Sequence, residues 1–425
     1  MSTPAHPQTP LTPRRVLPAA GIAVAAGLFG LVPLLLPAHP DREVASGDGA
    51  QSAAARALAC PSAPRGSSGA SVLSAAGAGA VTTTPAAVGE ASQPVVLPAG
   101  KEQAAGGLWL RDVPRVGVSW WGACQPAAPE QVVQVTDPAR ARLVLVNPGT
   151  VDALVDITLH GEKGELSAVG TSSITVPARG QRAVPLSVQA PAGKPVGARI
   201  IATQGRVAAW ALADGPEGAD HIPGGALRTG LVIPAVPAGG RSTLLLTNPG
   251  ADAATVTVRA HGSRGGFEPT GAGRLVVEPG STLRTDVSRS FAGESGALSV
   301  VSDHPVAASV DSVVGKDLAA MTGQRPTTSG LLVGPGGGHA LFTNASDANV
   351  PVRLVVDGKQ AEHTIGAGAV VSVPMPATAG SIAWSSQGPL VAGAVLDDGA
   401  LALVPGQETG ATRSTQPPRQ DQSLR

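Results

Sequence analysis

The chain has 425 residues, and its thirty basic and thirty acidic side chains cancel, which leaves no electrostatic footprint for nucleic acid. Its length accommodates several domains with cores of their own. Gly (55) and Pro (39) exceed a fifth of the residues, Tyr is absent and aromatics are only 2%, so small aliphatic and β-branched side chains must fill any core.

Residues 1–15 are polar and Pro-rich and read as a disordered cytoplasmic tail. Residues 16–36, VLPAAGIAVAAGLFGLVPLLL, form 21 residues without a charge. As a helix they would span roughly 30 Å, the thickness of a bilayer core. Arg14 and Arg15 precede this stretch, and Asp41 and Glu43 follow it. The positive-inside rule then places the N-terminus in the cytoplasm and the bulk of the chain outside. The weighed alternative is a cleaved signal peptide. Its apolar region should be shorter, with a small-residue cleavage site close behind. Pro37-Ala38-His39-Pro40 is a poor site and Val44-Ala45-Ser46 is distant, so an uncleaved transmembrane signal anchor is expected.

Residues 37–59 read as an Ala/Ser/Gly linker, and 60–130 as a small β region. This region holds both cysteines, Cys60 and Cys124. Outside the cell they face an oxidising compartment, so a disulfide is expected, with two buried thiols as the alternative. It would contribute roughly 4 kcal/mol by loop-closure entropy. Trp109, Trp120 and Trp121 lie in the same region. One reading packs a Trp on the disulfide; the sharper reading is an exposed platform for glycan stacking. Adjacent Trp120 and Trp121 on a strand point to opposite faces, so one could be exposed while the other packs. Trp210 and Trp384 sit inside strand runs and are expected in the core.

A pattern then occurs three times. Leu143-Val144-Leu145-Val146-Asn147-Pro148-Gly149 returns as Leu244-Leu245-Leu246-Thr247-Asn248-Pro249-Gly250, and more weakly as Ala340-Leu341-Phe342-Thr343-Asn344-Ala345-Ser346. From each Asn, apolar residues fall at +8, +10 and +12 and a Gly at +14, the signature of a half-buried strand ending in a turn. Asn-Pro-Gly suits a type II turn, Pro presetting φ and Gly accepting φ > 0. The repeats run 131–229, 230–329 and 330–405, and 406–425 read as a disordered tail. In the second repeat seven strand runs are expected: 230–236, 243–248, 254–261, 274–278, 282–287, 297–302 and 306–314. About seven short strands per hundred residues predict a mainly β chain of tandem immunoglobulin-like β-sandwich repeats. The third repeat, being shorter, is expected to lack a strand or two. A closed β array or propeller is the alternative.

The search for chemistry yields little. No His pair has metal-ligand spacing, and His160 and His261, both at +13 from the repeat Asn, are expected to face solvent. Neither a nucleophile elbow nor a phosphate loop occurs; Gly293-Glu294-Ser295-Gly296 and Gly334-Pro335-Gly336-Gly337-Gly338 are near misses. No catalytic residue, metal or cofactor is expected. A glycan hydrolase would need a cleft lined by carboxylates such as Asp311 or Asp397.

The anchor, Cys60-Pro61, Cys124, the strand and turn over Leu143 to Gly149, and Val207-Ala208-Ala209 together resemble an actinobacterial family, domain-of-unknown-function family 5719. The Arg-over-Lys bias (twenty-five against five) fits a GC-rich bacterial genome. The resemblance covers about residues 55–405 and departs at Asn344-Ala345-Ser346, which leaves that turn's geometry open. It implies an envelope-exposed protein and supplies no catalytic residues. The expected role is a membrane-anchored, non-enzymatic scaffold or protein-binding module of the envelope. Alternatives are a cell-wall glycan binder using Trp109, Trp120 or Trp121, and a glycan hydrolase.

Overall fold

The computed structural model describes residues 57–64, 67–77, 79–89, 93–98, 104–112, 118–216, 218–397 and 401–409. The expected anchor at 16–36, most of the linker and the tail beyond 409 lie outside them. Among the described residues the chain is mainly β, with no α-helix and no helix long and apolar enough to cross a membrane.

Each repeat builds two antiparallel sheets. In the first repeat, Glu130–Val135, Val196–Gln204 and Ala153–Gly161 are neighbours, with Gly164–Leu166 and Ile174–Val176 on the outer edge. The second sheet runs Gln181–Pro185, Ala141–Val146, Ala208–Gly215, Gly218–Pro223. The second repeat copies this plan, but Gly296–Val314 is one 19-residue strand belonging to both sheets. The runs expected at 297–302 and 306–314 are therefore continuous. Their pairing jumps from Val301↔Gly230 to Val306↔Arg228 around Pro305, which has no N–H to give the ladder. The first repeat breaks the same crossing at Gly205, whose φ of +76° suits only glycine well. The third repeat keeps both sheets but, as expected from its length, is one outer strand short. Lys359–Ile365 replaces two short outer strands, and Gln407–Glu408, expected to be tail, pairs with Thr327–Gly334.

We number the sheets in chain order. Sheet 1 comprises Ser71–Ala76, Thr82–Pro85, Ala104–Asp112 and Val118–Ala123, and the repeats supply sheets 2 and 3, 4 and 5, then 6 and 7. Within each repeat the two sheets share a core, as Val133, Ile157 and Ile200 of sheet 2 do with Leu143, Leu145 and Ala209 of sheet 3. The other faces meet neighbouring repeats. Gln134 of sheet 2 donates to Thr247 Oγ1 (2.9 Å) and Ala307 O (3.3 Å) of sheet 5. Leu341, Val391 and Val395 of sheet 7 join the core of sheets 4 and 5. Sheet 1 packs on sheet 6 through Leu73, Ala105 and Trp121, and on sheet 3 through Leu110 and Trp120. The order 1-3-2-5-4-7-6 thus returns to sheet 1 in a closed, propeller-like arrangement.

This corrects the expectation of immunoglobulin-like sandwiches. Such domains leave one face of each sheet to water and alternate apolar with polar side chains. Here Leu143, Val144, Leu145 and Val146 are all buried, because both faces of their sheet are covered.

The innermost strands of sheets 1, 3, 5 and 7 (Val118–Ala123, Gly218–Pro223, Asp317–Thr322 and Ala402–Pro405) meet around the axis. A Cβ on Gly218 (φ +113°) would collide with the backbone N of Leu318. Edge N–H groups there need acceptors. Asp220 Oδ2 accepts from Ala320 N and Asp317 Oδ2 from Leu401 N, both at 2.8 Å, so carboxylates clasp one inner strand to the next. Burial holds the Asp220 carboxyl well above its ordinary range, against the pull of the amides that bond it.

Candidate functional site

Cys60 and Cys124 form the expected disulfide, fully buried with their Cα atoms 4.1 Å apart. It packs with Leu58, Val72 and Leu97, and the tryptophans lie elsewhere. Trp120 faces sheet 3 and meets His221 edge-on at 5.8 Å, while Trp121 faces sheet 6. They do point to opposite faces, but both faces are covered: Trp120 is 4% and Trp121 3% exposed. The exposed glycan platform expected from them is therefore corrected, and Trp109 is itself half-buried against the same core as Trp121. Trp210 is core, as expected, and its Nε1 donates to Ala123 O at 3.0 Å.

The repeat turns are built differently from expectation. Gly149 and Gly250 do not adopt positive φ. Instead each buried Asn holds the turn. Asn147 donates to Val151 O (2.8 Å) and Val176 O (3.1 Å) and accepts from Gly149 N (2.9 Å). Asn248 repeats this with Asp252, Val277 and Gly250. Asn344 repeats it with Ala348, Ile365 and Ser346. The departure at Asn344-Ala345-Ser346 thus leaves the geometry intact, because no position needs a left-handed glycine. The hydrogen bonds of these asparagines thus shape the scaffold.

His160 and His261 do not face solvent; both are 2% exposed. Nδ1 of His160 bonds Gly280 O (3.0 Å) and Nδ1 of His261 bonds Gly368 O (2.8 Å), each reaching into the next repeat. Alternation places +13 opposite the repeat's own core, as expected, but that side is a seam. Desolvation lowers both imidazole pKa values, keeping the rings neutral. His221, beside Trp120, is pushed down to about 4 by full burial, although its hydrogen bond to Ser62 O works the other way.

A cleft of about 560 Å³ opens where sheets 2, 3 and 5 meet, a size suited to a small ligand. Buried Asp311 is among its lining residues. Asp311 Oδ2 accepts from Thr136 Oγ1 at 2.6 Å, while Oδ1 is buried without a hydrogen-bond partner. Burial raises the carboxyl to about 6, and the bonds from Thr136 pull it down. Val135, Ile222 and Leu318 give the cleft apolar sides. Exposed Arg140, Arg241 and Arg284 form its rim, together with Asp137, Asp214 and Asp286. These acids are engaged within the protein; Asp137 Oδ1 accepts from Ala139 N and Gly193 N, and Asp286 Oδ1 from Ser288. Arg284 pairs with Glu162, whose carboxyl lies below its ordinary range, chiefly through its bond to Lys194. Of the two carboxylates named for a hydrolase cleft, Asp311 lines this one, and Asp397 is exposed and lies outside it. Among the described residues no three His, Cys, Asp or Glu side chains are grouped to hold a metal. Sequence reasoning singled out Asp311 but missed the arginine rim, whose members are 144 positions apart in the chain and share no motif.

Fold and cleft together define a propeller-like β-repeat protein with a polar site at a seam. The chain belongs to a family of unknown function (DUF5719), whose model matches residues 122–376, from the end of sheet 1 through most of the third repeat. No curated protein matches. A solved structure described as a "Ca2+-stabilized adhesin" that "helps an Antarctic bacterium reach out and bind ice" aligns at 13% identity over 80% of this chain and 90% of its own. Its TM-score of 0.11 gives that likeness no weight.

Proposed function

We propose that this protein is a membrane-anchored, extracytoplasmic scaffold of the cell envelope that acts without catalysis by presenting its ring to a partner protein. The buried Cys60–Cys124 disulfide carries this reading, because such a bond persists in oxidising compartments. The charge-free stretch at 16–36 behind Arg14 and Arg15 supplies the anchor and its orientation. The docking surface includes Val276 and Val301, which are 53% and 58% exposed. Pairing with Thr255 and Thr257 sets them on one face of sheet 4. Isolated exposed apolar residues are common, but neighbours on one sheet face offer a partner a contact.

An alkaline phosphatase fused to the C-terminus tests the placement. The fusion should be active and remain in the membrane fraction after an alkaline carbonate wash. An inactive or freely soluble fusion overturns the reading. A photo-crosslinker at Val301 in intact cells should then capture an envelope protein in a band lost in Thr257→Asp.

A further inference from the structure

The outer strands of sheets 2, 4 and 6 carry charge: Glu165 on Gly164–Leu166, Arg274 on Arg274–Val277, and Lys359 and Glu362 on Lys359–Ile365. Charge on an edge keeps a foreign strand away. Sheet 1 differs. Its outer strand, Thr82–Pro85, is exposed at all four residues, and no charged residue occurs from 66 to 89. The bond from Ala86 N to Ala70 O (3.2 Å) sets the phase of its ladder with Ser71–Ala76. By alternation the N–H groups of Thr82 and Thr84 point into that ladder, while the backbone groups of Val81, Thr83 and Pro85 point away from it. Pro85, which has no N–H, stands where the ladder does not need one. On either side of this window the outward groups are taken. Ala63 N donates to Ala87 O and Gly89 N to Ala63 O, both at 2.8 Å, and Ser381 Oγ donates to Gly79 O at 3.1 Å. Between them, among the described residues, the edge is bare.

We propose that this edge pairs with the same edge of a second copy, antiparallel about a twofold axis at Thr83, which joins the four-stranded first sheets of two rings into one. The register is self-complementary. Each Thr83 exchanges two N–H···O bonds with the partner's Thr83, and each Val81 N–H meets the partner's Pro85 O. Both outward donors are satisfied, and the absent Pro85 N–H leaves only the Val81 carbonyl open. Thr82 faces the partner's Thr84, a β-branched pairing without like-charge repulsion. The edge lies on a different sheet from Val276 and Val301, so a partner protein docked there neither requires nor excludes the dimer.

The test uses the full-length, oxidised protein in mild detergent. Sedimentation velocity should show a monomer–dimer equilibrium that moves with protein concentration. Thr83→Lys sets like charges face to face at the axis and should weaken the dimer at least about tenfold. Thr83→Pro should act in the same direction, because it deletes an N–H that points out of the ladder. An unchanged denaturation midpoint shows that each variant is folded. In membranes, Thr83→Cys should couple to a second copy on mild oxidation at least about tenfold faster than Val169→Cys, since facing residues on paired strands suit a disulfide. Val169 is 83% exposed, so access does not favour Thr83→Cys. A protein that stays monomeric overturns the proposal, as does a dimer indifferent to both Thr83→Lys and Thr83→Pro. Coupling of Thr83→Cys no faster than that of Val169→Cys overturns it too. A photo-crosslinker at Thr83 in intact cells that captures a chain of another mass would give the edge to a different protein, against the dimer.

Discussion

The seams between repeats and the seams that close the ring are built from different materials. Between repeats, copied side chains suffice: His160 reaches Gly280, and His261 does the same to Gly368 in the following copy. At the same position of the third repeat stands Asp357, in a left-handed turn with φ 48°. The neighbour there is sheet 1, which is no copy. Gln407 serves instead, accepting from Gly106 N (2.8 Å) and donating to Gly106 O (3.0 Å) and Cys124 O (2.6 Å). Sheet 1 brings the disulfide and two buried tryptophans to this closure. A seam between copies can be specified once and duplicated; a seam between unlike partners needs its own aromatic and covalent ties.

Breaking the closing side should therefore cost most. Trp120→Ala removes the ring that fills the gap against sheet 3, with an expected loss of about 4 kcal/mol in chemical denaturation. Cys60→Ala/Cys124→Ala should lose about as much, roughly 4 kcal/mol, and dithiothreitol should lower the wild-type midpoint but not the variant's. On the repeat side, Asn248→Ala deletes two buried donors and one acceptor, and about 3 kcal/mol is expected.

Acid sharpens the contrast. The unfolded chain takes a proton on His221 near pH 6.5, the folded one only near 4, so this residue's contribution is complete above 6.5 and is lost as pH falls towards 4. His221→Gln should abolish that slope, measured as the wild-type minus variant stability across this window. Asp311 works in the opposite sense. Its folded pKa of about 6 lies above the unfolded 3.8, so stability is lost as pH rises between them, and comparison with Asp311→Asn isolates it. The smallest effect should come from Pro148→Ala and Gly149→Ser, each under about 1 kcal/mol, since Asn147 holds the turn. A larger loss from Gly149→Ser would show that the third repeat's Ser346 is tolerated only in its own surroundings.

Much of this was legible in the chain. Period-2 spacing after each Asn gave the strands, and compartment logic gave the Cys60–Cys124 bond. The ring was less so, because alternation tells which residues share a face and not what covers the other face. One clue was present: Leu143-Val144-Leu145-Val146 has no polar side at all, as a strand covered on both faces requires. The same gap explains His160 and His261, placed correctly opposite their own core but expected in water. The cleft was partly legible through Asp311, while Thr136 and the arginines come from loops and strands that only the closed ring brings together.

The arithmetic of the ring has a consequence for how such a protein can change size. Among the described residues each repeat delivers two sheets to the ring and the N-terminal region one, giving seven, beside a small three-stranded sheet of Leu58–Ala59, Val96–Leu97 and Gln125–Pro126 that stands outside this count. A linear stack of modules can gain or lose a copy at its end and leave the remaining interfaces as they were. A closed circle has no end. A fourth copy would force nine sheets around a centre already filled by four inner strands, and a lost copy would leave five, with sheet 1 facing a partner it was never shaped for. Duplication, which wrote this sequence, is thereby stopped by its own product: the circumference fixes the copy number.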